Sequence, residues 1–360
     1  MAEPVSDHSF TDSHQDFLSF YPKFLRAELT GELCSSAPSL PAKKQPLVSY
    51  PASALQQNFY HNLLSFSCQR DSLVAALSER LTIIKKNSAP VFLSHKFSQP
   101  VSSIACHEKN PIAAVGCVSG GLNITDLSCF GTLVRRFDCR GDKRVGVIDW
   151  RGDLLIVGDR AGRISFYDAR SCGKIIAPLK AHGEEICAAK FSPFDDYLFA
   201  TGGNDNQFKV FDLRTFRPIS ESRFHRAAVK ALTWHPDRRG RLFSGGGTGD
   251  HRLAVWDVTR NLKLKSKDIG SQLCNIGFDA KRQIVCTFGW SSNEVQIRNS
   301  QLRKVAVLYG HRDRVLYMAI NSDRTLLATG SSDHTIKIWD LVDETIVEDF
   351  GFVSQLGMIR

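Results

Sequence analysis

The sequence predicts an all-β protein, a closed ring of seven small sheets known as a seven-bladed β-propeller. Two observations exclude a helical solenoid: apolar residues alternate or occur in short runs, and Gly, Asp and Asn turns separate these runs. The third observation is a repeat of 41 to 45 residues, which is typical of propeller blades. Seven similar segments end at positions 85, 126, 168, 212, 257, 299 and 340.

The clearest repeats share a turn Asp, an aromatic residue six positions later and a second Asp directly after it. A His also stands 22 to 25 residues before each turn Asp. This is the pattern of WD repeats, in which the His, the Asp, a Ser or Thr and the Trp form a buried hydrogen-bonded network. Because the pairs recur at the blade period, they indicate structural networks rather than a catalytic triad. The pairs are His182 with Asp205, His225 with Asp250, and His311 with Asp333.

Composition and charge exclude several classes of protein. Apolar residues make up 42% of the 360 residues, which is enough for a large core, and no apolar run is long enough to span a membrane. The ten cysteines form no C-x-x-C pair, so we expect reduced thiols rather than a disulfide framework. The net charge of +9 is dispersed, without a run of five basic residues, and we expect no nucleic-acid or membrane partner. The N-terminus does not resemble a signal peptide.

The first 50 residues differ in character from the repeats. They are polar and hold one apolar patch at residues 17–29, followed by a Ser/Pro/Lys-rich stretch at 35–48 that is typical of a linker. A segment this poor in apolar residues orders only when it binds. We therefore predict a mostly disordered arm at 1–50 with a docking motif in its apolar patch, a propeller at 51–350 and a tail at 351–360. The alternative is that the patch adds a strand to the propeller edge.

No motif predicts an enzyme, a cofactor or a metal site. The sequence has no P-loop, no cluster with metal-ligand spacing and no nucleophile elbow. Residues 245–248, Gly-Gly-Gly-Thr, lack the following Lys and helix start that a phosphate-binding loop needs. They are better interpreted as a blade turn.

A more specific signal comes from six segments within about residues 44–340, namely residues 58–63, 201–206, 225–234, 244–248, 270–275 and 311–317. These segments resemble the Fizzy and Fizzy-related activators of the anaphase-promoting complex, a ubiquitin ligase also called the cyclosome. A generic WD repeat would not share them in this order, and the chain is therefore identified as a compact, divergent member of that family. The chain also ends in Ile359-Arg360, similar to the family tail that docks into a helical-repeat subunit of the ligase.

The resemblance implies a substrate-recruiting co-activator that binds degradation motifs on cell-cycle proteins and promotes their ubiquitination. Its partners would be subunits of the ligase, substrates such as cyclins and securin, and checkpoint inhibitors, during mitosis and cell division in the nucleus and cytoplasm. The alternative is a general WD-repeat scaffold that binds peptides, histone tails or RNA. An activator needs the Ile-Arg tail and the arm, whereas a scaffold should tolerate the loss of both.

The family resemblance also assigns site residues. Its site for KEN motifs, which carry Lys, Glu and Asn, maps onto residues around the rim of the propeller, although the family has an acidic residue where this chain has Asn58. The family's acidic residues in the destruction-box groove correspond to Pro51 and His334, so recognition of that motif should be weaker unless Asp333 and Glu344 supply the charge. The KEN-type residues are Asn58, Phe59, Asn204, Thr248, Gln272 and Arg314.

Ligase docking is assigned to the two ends of the chain. Residues 19–22, Ser-Phe-Tyr-Pro, are similar to the core of the family's C-box, which docks on the ligase. The residues directly after them look like the family's short conserved helix. The docking residues are Phe20, Tyr21, Pro22, Leu25, Leu29, Ile359 and Arg360.

Overall fold

The computed structural model describes residues 42–69, 72–86, 88–129, 131–137, 143–171, 175–290 and 292–342. Over these ranges the chain forms 29 β-strands, no helix, and seven sheets that follow one another around a ring. No helix capable of crossing a membrane occurs in them. The prediction of a seven-bladed β-propeller is confirmed, while residues 1–41 and 343–360 lie outside the described ranges.

Two short strands, β1 (Ala42–Lys44) and β2 (Val48–Pro51), come before the first blade. Blades 1 to 5 each contain four consecutive antiparallel strands, blade 6 contains four with β1 added, and blade 7 contains three with β2 added. Blade 1 consists of β3 (Leu64–Phe66), β4 (Ser72–Leu77), β5 (Arg80–Lys85) and β6 (Val91–Lys96). Blade 2 consists of β7 (Val101–Cys106), β8 (Ile112–Cys117), β9 (Leu122–Asp126) and β10 (Thr132–Phe137). Blade 3 consists of β11 (Val145–Arg151), β12 (Leu154–Asp159), β13 (Arg163–Asp168) and β14 (Ile175–Lys180).

The remaining blades continue the pattern. Blade 4 consists of β15 (Ile186–Phe191), β16 (Leu198–Gly203), β17 (Phe208–Asp212) and β18 (Arg217–Ser222), and blade 5 of β19 (Val229–Trp234), β20 (Arg241–Gly246), β21 (Arg252–Asp257) and β22 (Leu262–Asp268). Blade 6 consists of β23 (Leu273–Phe278), β24 (Ile284–Phe288), β25 (Val295–Arg298) and β26 (Lys304–Leu308), together with β1. Blade 7 consists of β27 (Val315–Ile320), β28 (Leu326–Ser331) and β29 (Thr335–Asp340), together with β2.

The repeat ends predicted from the sequence coincide with the end of the third strand of each blade. Six of them are the last residues of β5, β9, β13, β17, β21 and β29, and the seventh, position 299, directly follows β25. One repeat therefore corresponds to one blade, and in the clearest repeats the third strand carries the aromatic residue and the Asp that mark them.

The ring is closed by the N-terminal strand β2, which is the outermost strand of blade 7. It pairs antiparallel with β29, with Val48 opposite Ile338 and Pro51 opposite Thr335. The Tyr50 ring is buried, and its hydroxyl donates to the carbonyl of Lys85 in blade 1 at 2.9 Å. One strand thus joins the last blade to the first.

The predicted boundary at residue 51 falls on the last residue of β2, so the propeller extends further toward the N-terminus than the sequence indicated. Residues 42–44 are also part of it, because β1 pairs in parallel with β26. The linker predicted at 35–48 therefore overlaps strand residues. Its polar, proline-containing sequence has no local signal for this pairing, which depends on strands that lie more than 250 residues later.

The predicted His-Asp networks are confirmed, and the one in blade 5 is complete and buried. His225 Nδ1 lies 2.6 Å from Asp250, and its Nε2 lies 2.7 Å from Ser244 Oγ. The indole of Trp256 donates to the same Oγ at 2.8 Å. Every polar group of the network therefore has a partner, which makes a buried carboxylate tolerable.

Blade 7 repeats this arrangement, with His311, Asp333, Thr329 and Trp339 joined at 2.8 to 2.9 Å. Burial acts to raise the pKa of Asp333, but hydrogen bonds from Thr335, the backbone of Arg312 and His311 outweigh it and lower the pKa to about 2. The carboxylate is therefore ionised at neutral pH.

Blade 4 holds the same pair without the tryptophan. His182 lies 2.9 Å from Asp205 and 2.8 Å from Thr201, and Phe211 occupies the aromatic position. This network has one donor fewer than those of blades 5 and 7.

The core lies between neighbouring blades. Phe208 of blade 4 packs edge-on against Trp256 of blade 5, with ring centroids 4.8 Å apart. The indole of Trp234 donates back to the carbonyl of Lys190 in the preceding blade at 3.1 Å. Each cysteine for which the structure gives a state is a free thiol, and burial raises the pKa of Cys274 to about 12.

Candidate peptide-binding surface

One face of the ring carries all the residues predicted for motif binding. Strand direction alternates within each blade, so the turns between second and third strands lie on the same face as the connections from one blade to the next. We call this the upper face. Asn58 and Phe59 lie between β2 and β3, Asn204 between β16 and β17, Thr248 between β20 and β21, Gln272 between β22 and β23, and Arg314 between β26 and β27.

Residues 56–62, here called the crossing segment, are bound by side and main chains of several blades. The hydroxyl of Tyr317 in blade 7 accepts the N–H of Asn58 at 3.1 Å and donates to the carbonyl of Gln56. Asn62 Nδ2 donates to the carbonyl of Gly146 in blade 3 at 2.9 Å. The segment is therefore fixed at the centre of the upper face.

Tyr60 joins the crossing segment to blade 4. Its N–H donates to Asn58 Oδ1 at 3.0 Å, and its hydroxyl donates to Asn204 Oδ1 at 2.8 Å. The guanidinium of Arg144 lies over its ring, 5.6 Å from the centroid. Tyr60 therefore holds two of the predicted residues, Asn58 and Asn204, in one arrangement, a role that the sequence analysis missed.

Lys230 supports the crossing segment from within the ring. Its Nζ lies 5.3 Å from the ring centroid of Phe59 and 5.5 Å from that of Tyr317, and donates to the carbonyl of Leu316 at 3.2 Å. Burial lowers the pKa of Lys230 to about 8. The Phe59 ring therefore lies between the upper face and the buried ammonium group of Lys230. The only sequence signal for this role is a lysine within the mostly apolar strand β19.

His61 is a second buried polar residue at the crossing segment, besides Lys230. It is only 2% exposed, and within the described part of the chain neither ring nitrogen has a hydrogen-bond partner. Burial lowers the pKa of His61 to about 3, and the positive charges of Arg144 and Lys230 act in the same direction. The ring is therefore neutral at physiological pH.

Replacing His61 by leucine is expected to flatten the pH dependence of stability. In the unfolded chain a histidine takes up its proton near pH 6.5, whereas folded His61 does so only near pH 3. The free energy of unfolding of the wild type must therefore fall as pH falls through this window, by up to about 1.4 kcal/mol per pH unit. Urea unfolding at pH 7.5 and 5.0 should show a loss of about 2 kcal/mol at the lower pH that the variant lacks. His95→Leu, at a half-buried position on β6, is the control. The prediction would be contradicted if the free energy of unfolding depended on pH equally in the wild type and in His61→Leu.

Arg314 supplies positive charge on the blade 7 side of the crossing segment. Its side chain is 41% exposed, and the nearest carboxylate, that of Asp313, is 3.9 Å from its Nε. Its carbonyl accepts the N–H of Ser332 at 2.9 Å, which fixes the loop. An exposed, weakly paired guanidinium is well suited to bind a carboxylate of a ligand.

Thr248 and Gln272 extend the surface over blades 5 and 6. Thr248 is exposed, and the carbonyl of Gln272 accepts the N–H of Gly289 at 3.0 Å. This contact places the loop of Trp290, a 59% exposed aromatic residue, beside Gln272. The sequence analysis missed Trp290, although an aromatic residue directly after a turn glycine was a usable signal.

Pro51 and His334 lie together at the edge of blade 7. The N–H of Ala52 donates to the carbonyl of His334 at 2.7 Å, and His334 Nε2 lies 3.1 Å from Gln57 Nε2. Neither residue is acidic, and the carboxylate of Asp333 is held by the His311 network. Asp333 is therefore a poor source of free charge for this groove. Glu344 lies outside the described residues.

The residues predicted for ligase docking are not among those that the structure describes. They belong to residues 1–41 and 343–360. A cavity of about 680 Å³ within the ring is lined by residues from several blades, including Asn62 and Lys230. Within the described ranges, no group of three or more His, Cys, Asp or Glu side chains is placed to hold a metal ion.

Comparison with known proteins gives a consistent result. The family model described as the CDC20/Fizzy WD40 domain matches residues 51–339. The chain is 34% identical to WD repeat-containing protein srw1 of Schizosaccharomyces pombe, over 86% of this chain and 56% of that protein. It is 32% identical to FIZZY-RELATED 3 of Arabidopsis thaliana, over 89% of this chain and 68% of that protein.

Two further matches add to this. The chain is 31% identical to the APC/C activator protein CDH1 of Saccharomyces cerevisiae, over 84% of this chain and 53% of that protein. A chain in a crystal structure of a mitotic checkpoint complex is 28% identical and superposes with a TM-score of 0.79, covering 86% of this chain and 95% of that one. The chain spans about half to two thirds of the length of the curated relatives it matches.

Proposed function

Because the chain belongs to the CDC20/Fizzy family of WD40 propellers, we propose that it is a substrate-recruiting co-activator of the anaphase-promoting ubiquitin ligase. The observation that carries the proposal is the crossing segment. Tyr60 and Tyr317 hold Asn58 and Phe59 next to Asn204 at the centre of the upper face. A relative named as an activator of this ligase, CDH1, supports it.

The upper face offers the groups that a short degradation motif needs. Arg314 binds the motif's carboxylate, the amides of Asn204 and Gln272 and the hydroxyl of Thr248 bind its polar groups, and Phe59 gives an apolar contact. The protein acts by binding and has no chemistry of its own. Specificity comes from these few side chains at the centre of the face.

Two weak attachments hold the adaptor to the ligase. The motif around Phe20, Tyr21 and Pro22, with Leu25 and Leu29, binds at one site, and Ile359-Arg360 binds a helical-repeat subunit at another. Two linked contacts exceed either one in affinity because the second becomes intramolecular. Substrates such as cyclins and securin would bind on the upper face, as would checkpoint inhibitors, in the nucleus and cytoplasm.

The proposed preference is for KEN-type motifs over destruction boxes. Pro51 and His334 carry no negative charge, and Asp333 is held in its network. An arginine in a destruction box would therefore find no free carboxylate among these three residues. Tight, arginine-dependent binding of a destruction-box peptide would contradict this preference.

Arg314→Ala is expected to weaken binding of a fluorescent KEN-type peptide about tenfold or more, because a hydrogen bond to a charged group contributes about 1.5–3 kcal/mol. Fluorescence polarisation with purified protein measures this. Arg312→Ala is the matched control, since Arg312 is an exposed arginine on the same loop. Equal loss in both variants would indicate a nonspecific charge effect and count against the site.

Deletion of Ile359 and Arg360 separates the proposal from its alternative. In pull-downs the shortened chain should lose the ligase subunits and still bind the peptide. A general WD-repeat scaffold for peptides, histone tails or RNA would keep all its partners after the deletion.

A further inference from the structure

Glu184 places an acidic group at the edge of the crossing segment. It lies in the connection between β14 and β15, which is part of the upper face, and its side chain is exposed. Asn204 Nδ2 donates to its carboxylate, while Asn204 Oδ1 accepts the hydroxyl of Tyr60 at 2.8 Å. A chain of two hydrogen bonds therefore holds the carboxylate beside Tyr60.

No described residue neutralises the charge of Glu184. The nearby cation, Arg144, is bound by the adjacent Glu185 through two hydrogen bonds of 2.9 and 2.6 Å. Both of those side chains are mostly buried. In the part of the chain with described positions, no lysine or arginine forms an ion pair with Glu184.

The opposite side of the crossing segment carries the opposite charge. Arg314 lies on the blade 7 side, three residues before Tyr317, and its side chain is 41% exposed. The hydroxyl of Tyr317 accepts the N–H of Asn58, and Asn58 Oδ1 accepts the N–H of Tyr60. Among the described residues, Glu184 has no cationic partner and Arg314 has only a weakly paired carboxylate nearby. Glu184 ends a row of hydrogen bonds that runs from Tyr317 through Asn58, Tyr60 and Asn204, and Arg314 lies on the loop that leads into Tyr317. Such an arrangement distinguishes the direction of a bound peptide, because reversal would bring like charges together.

We infer that Glu184 binds the basic side chain of the degradation motif, and that Glu184 and Arg314 together set the motif's direction across the crossing segment. This inference rests on the proposed function and adds a residue to its site. The partner is a peptide with a lysine close to an acidic residue. The lysine stem lies along the half-buried Tyr60 ring, and its ammonium reaches the carboxylate.

An exposed glutamate is often only a solvated surface group. Three features set Glu184 apart: an amide donor fixes its carboxylate, the adjacent arginine is already paired, and it lies beside the aromatic ring that anchors the segment. A preorganised carboxylate loses less side-chain freedom on binding a cation than a free one does.

A double-mutant cycle tests the inference. Wild type and Glu184→Gln are titrated with a KEN-type peptide and with the same peptide carrying norleucine in place of lysine, which keeps the stem and removes the charge. We expect about a fivefold loss for either single change and no further loss for the two together, as for a directly coupled pair. The coupling should shrink at high salt. Glu221→Gln, at an exposed position on β18, is the matched control and should leave both affinities unchanged.

The possible results distinguish a failure of this inference from a failure of the proposed function. If wild type binds the lysine peptide with dependence on Arg314, but losses from Glu184→Gln and norleucine simply multiply, the inference is wrong and the proposed function stands. If wild type binds neither peptide, the proposed function and the inference fail together. Thermal unfolding of Glu184→Gln should match wild type, because an exposed residue contributes little to stability.

Discussion

A chain that begins at residue 52 is expected to unfold about 10 °C below one that begins at residue 42. The shorter chain lacks β1 and β2, so blade 7 keeps three strands and loses its junction with blade 1. Burial of Tyr50 contributes about 2 kcal/mol, and the hydrogen bonds between β2 and β29 contribute about 1 kcal/mol each, which together reach about 5 kcal/mol.

Circular dichroism melting of the two chains measures the difference. Tyr50→Ala in the full chain should reproduce about half of the effect, since it removes the buried ring and its hydrogen bond to Lys85. Leu47→Ser, at an exposed position just before β2, is the control. If the chain beginning at residue 52 melted at the same temperature as the longer one, β2 would not close the ring.

Asp250→Ala is expected to lower the free energy of unfolding by about 3–5 kcal/mol, because it leaves two buried hydrogen-bond donors without an acceptor and each costs about 1–3 kcal/mol. The side chains of His225 and Asp250 are fully buried, and the change leaves the imidazole and the N–H of Arg226 without their acceptor. Asp323→Ala, in an exposed turn, should cost well under 1 kcal/mol and serves as the control.

The three networks predict an order of effects. Asp333→Ala should cost somewhat less than Asp250→Ala, since Asp333 is 8% exposed, and Asp205→Ala least, since Asp205 is 12% exposed and its network lacks a tryptophan. Urea unfolding at pH 7.5 measures all three. An effect of Asp205→Ala as large as that of Asp250→Ala would show that burial does not set the order.

The pH dependence of this effect has a definite sign. Burial acts to raise the pKa of Asp250, but hydrogen bonds from His225 and from the backbone outweigh it and leave the pKa below its ordinary value. The stabilisation is therefore present above about pH 4, where the unfolded carboxyl ionises, and is lost as the pH falls through the folded pKa. The difference between wild type and Asp250→Ala should narrow in acid.

The blades could be predicted from the sequence because each blade is a local unit. The spacing of His225, Asp250 and Trp256 reflects contacts within one blade, so the repeat and the networks are visible in a window of about 45 residues. The upper-face residues followed from the resemblance, and the strand order places them on one face.

The features that the sequence did not show depend on contacts between distant segments. β2 lies in a polar stretch, and only its pairing with β29 makes it a strand. Lys230 and Tyr60 acquire their roles through residues of other blades, and Glu184 matters because Asn204 reaches it. No local window contains these pairs.

Ring closure by β2 also has a consequence for synthesis. β2 leaves the ribosome long before its partner β29, because nearly 290 residues separate them, which corresponds to roughly 15 to 60 seconds of translation. During that interval the Tyr50 ring has no site in which it can be buried, and the outer surface of each finished blade stays exposed until the next blade folds. The propeller can close only after its last repeat has left the ribosome. We therefore expect the nascent chain to bind chaperones that cover its apolar surface until β2 pairs with β29.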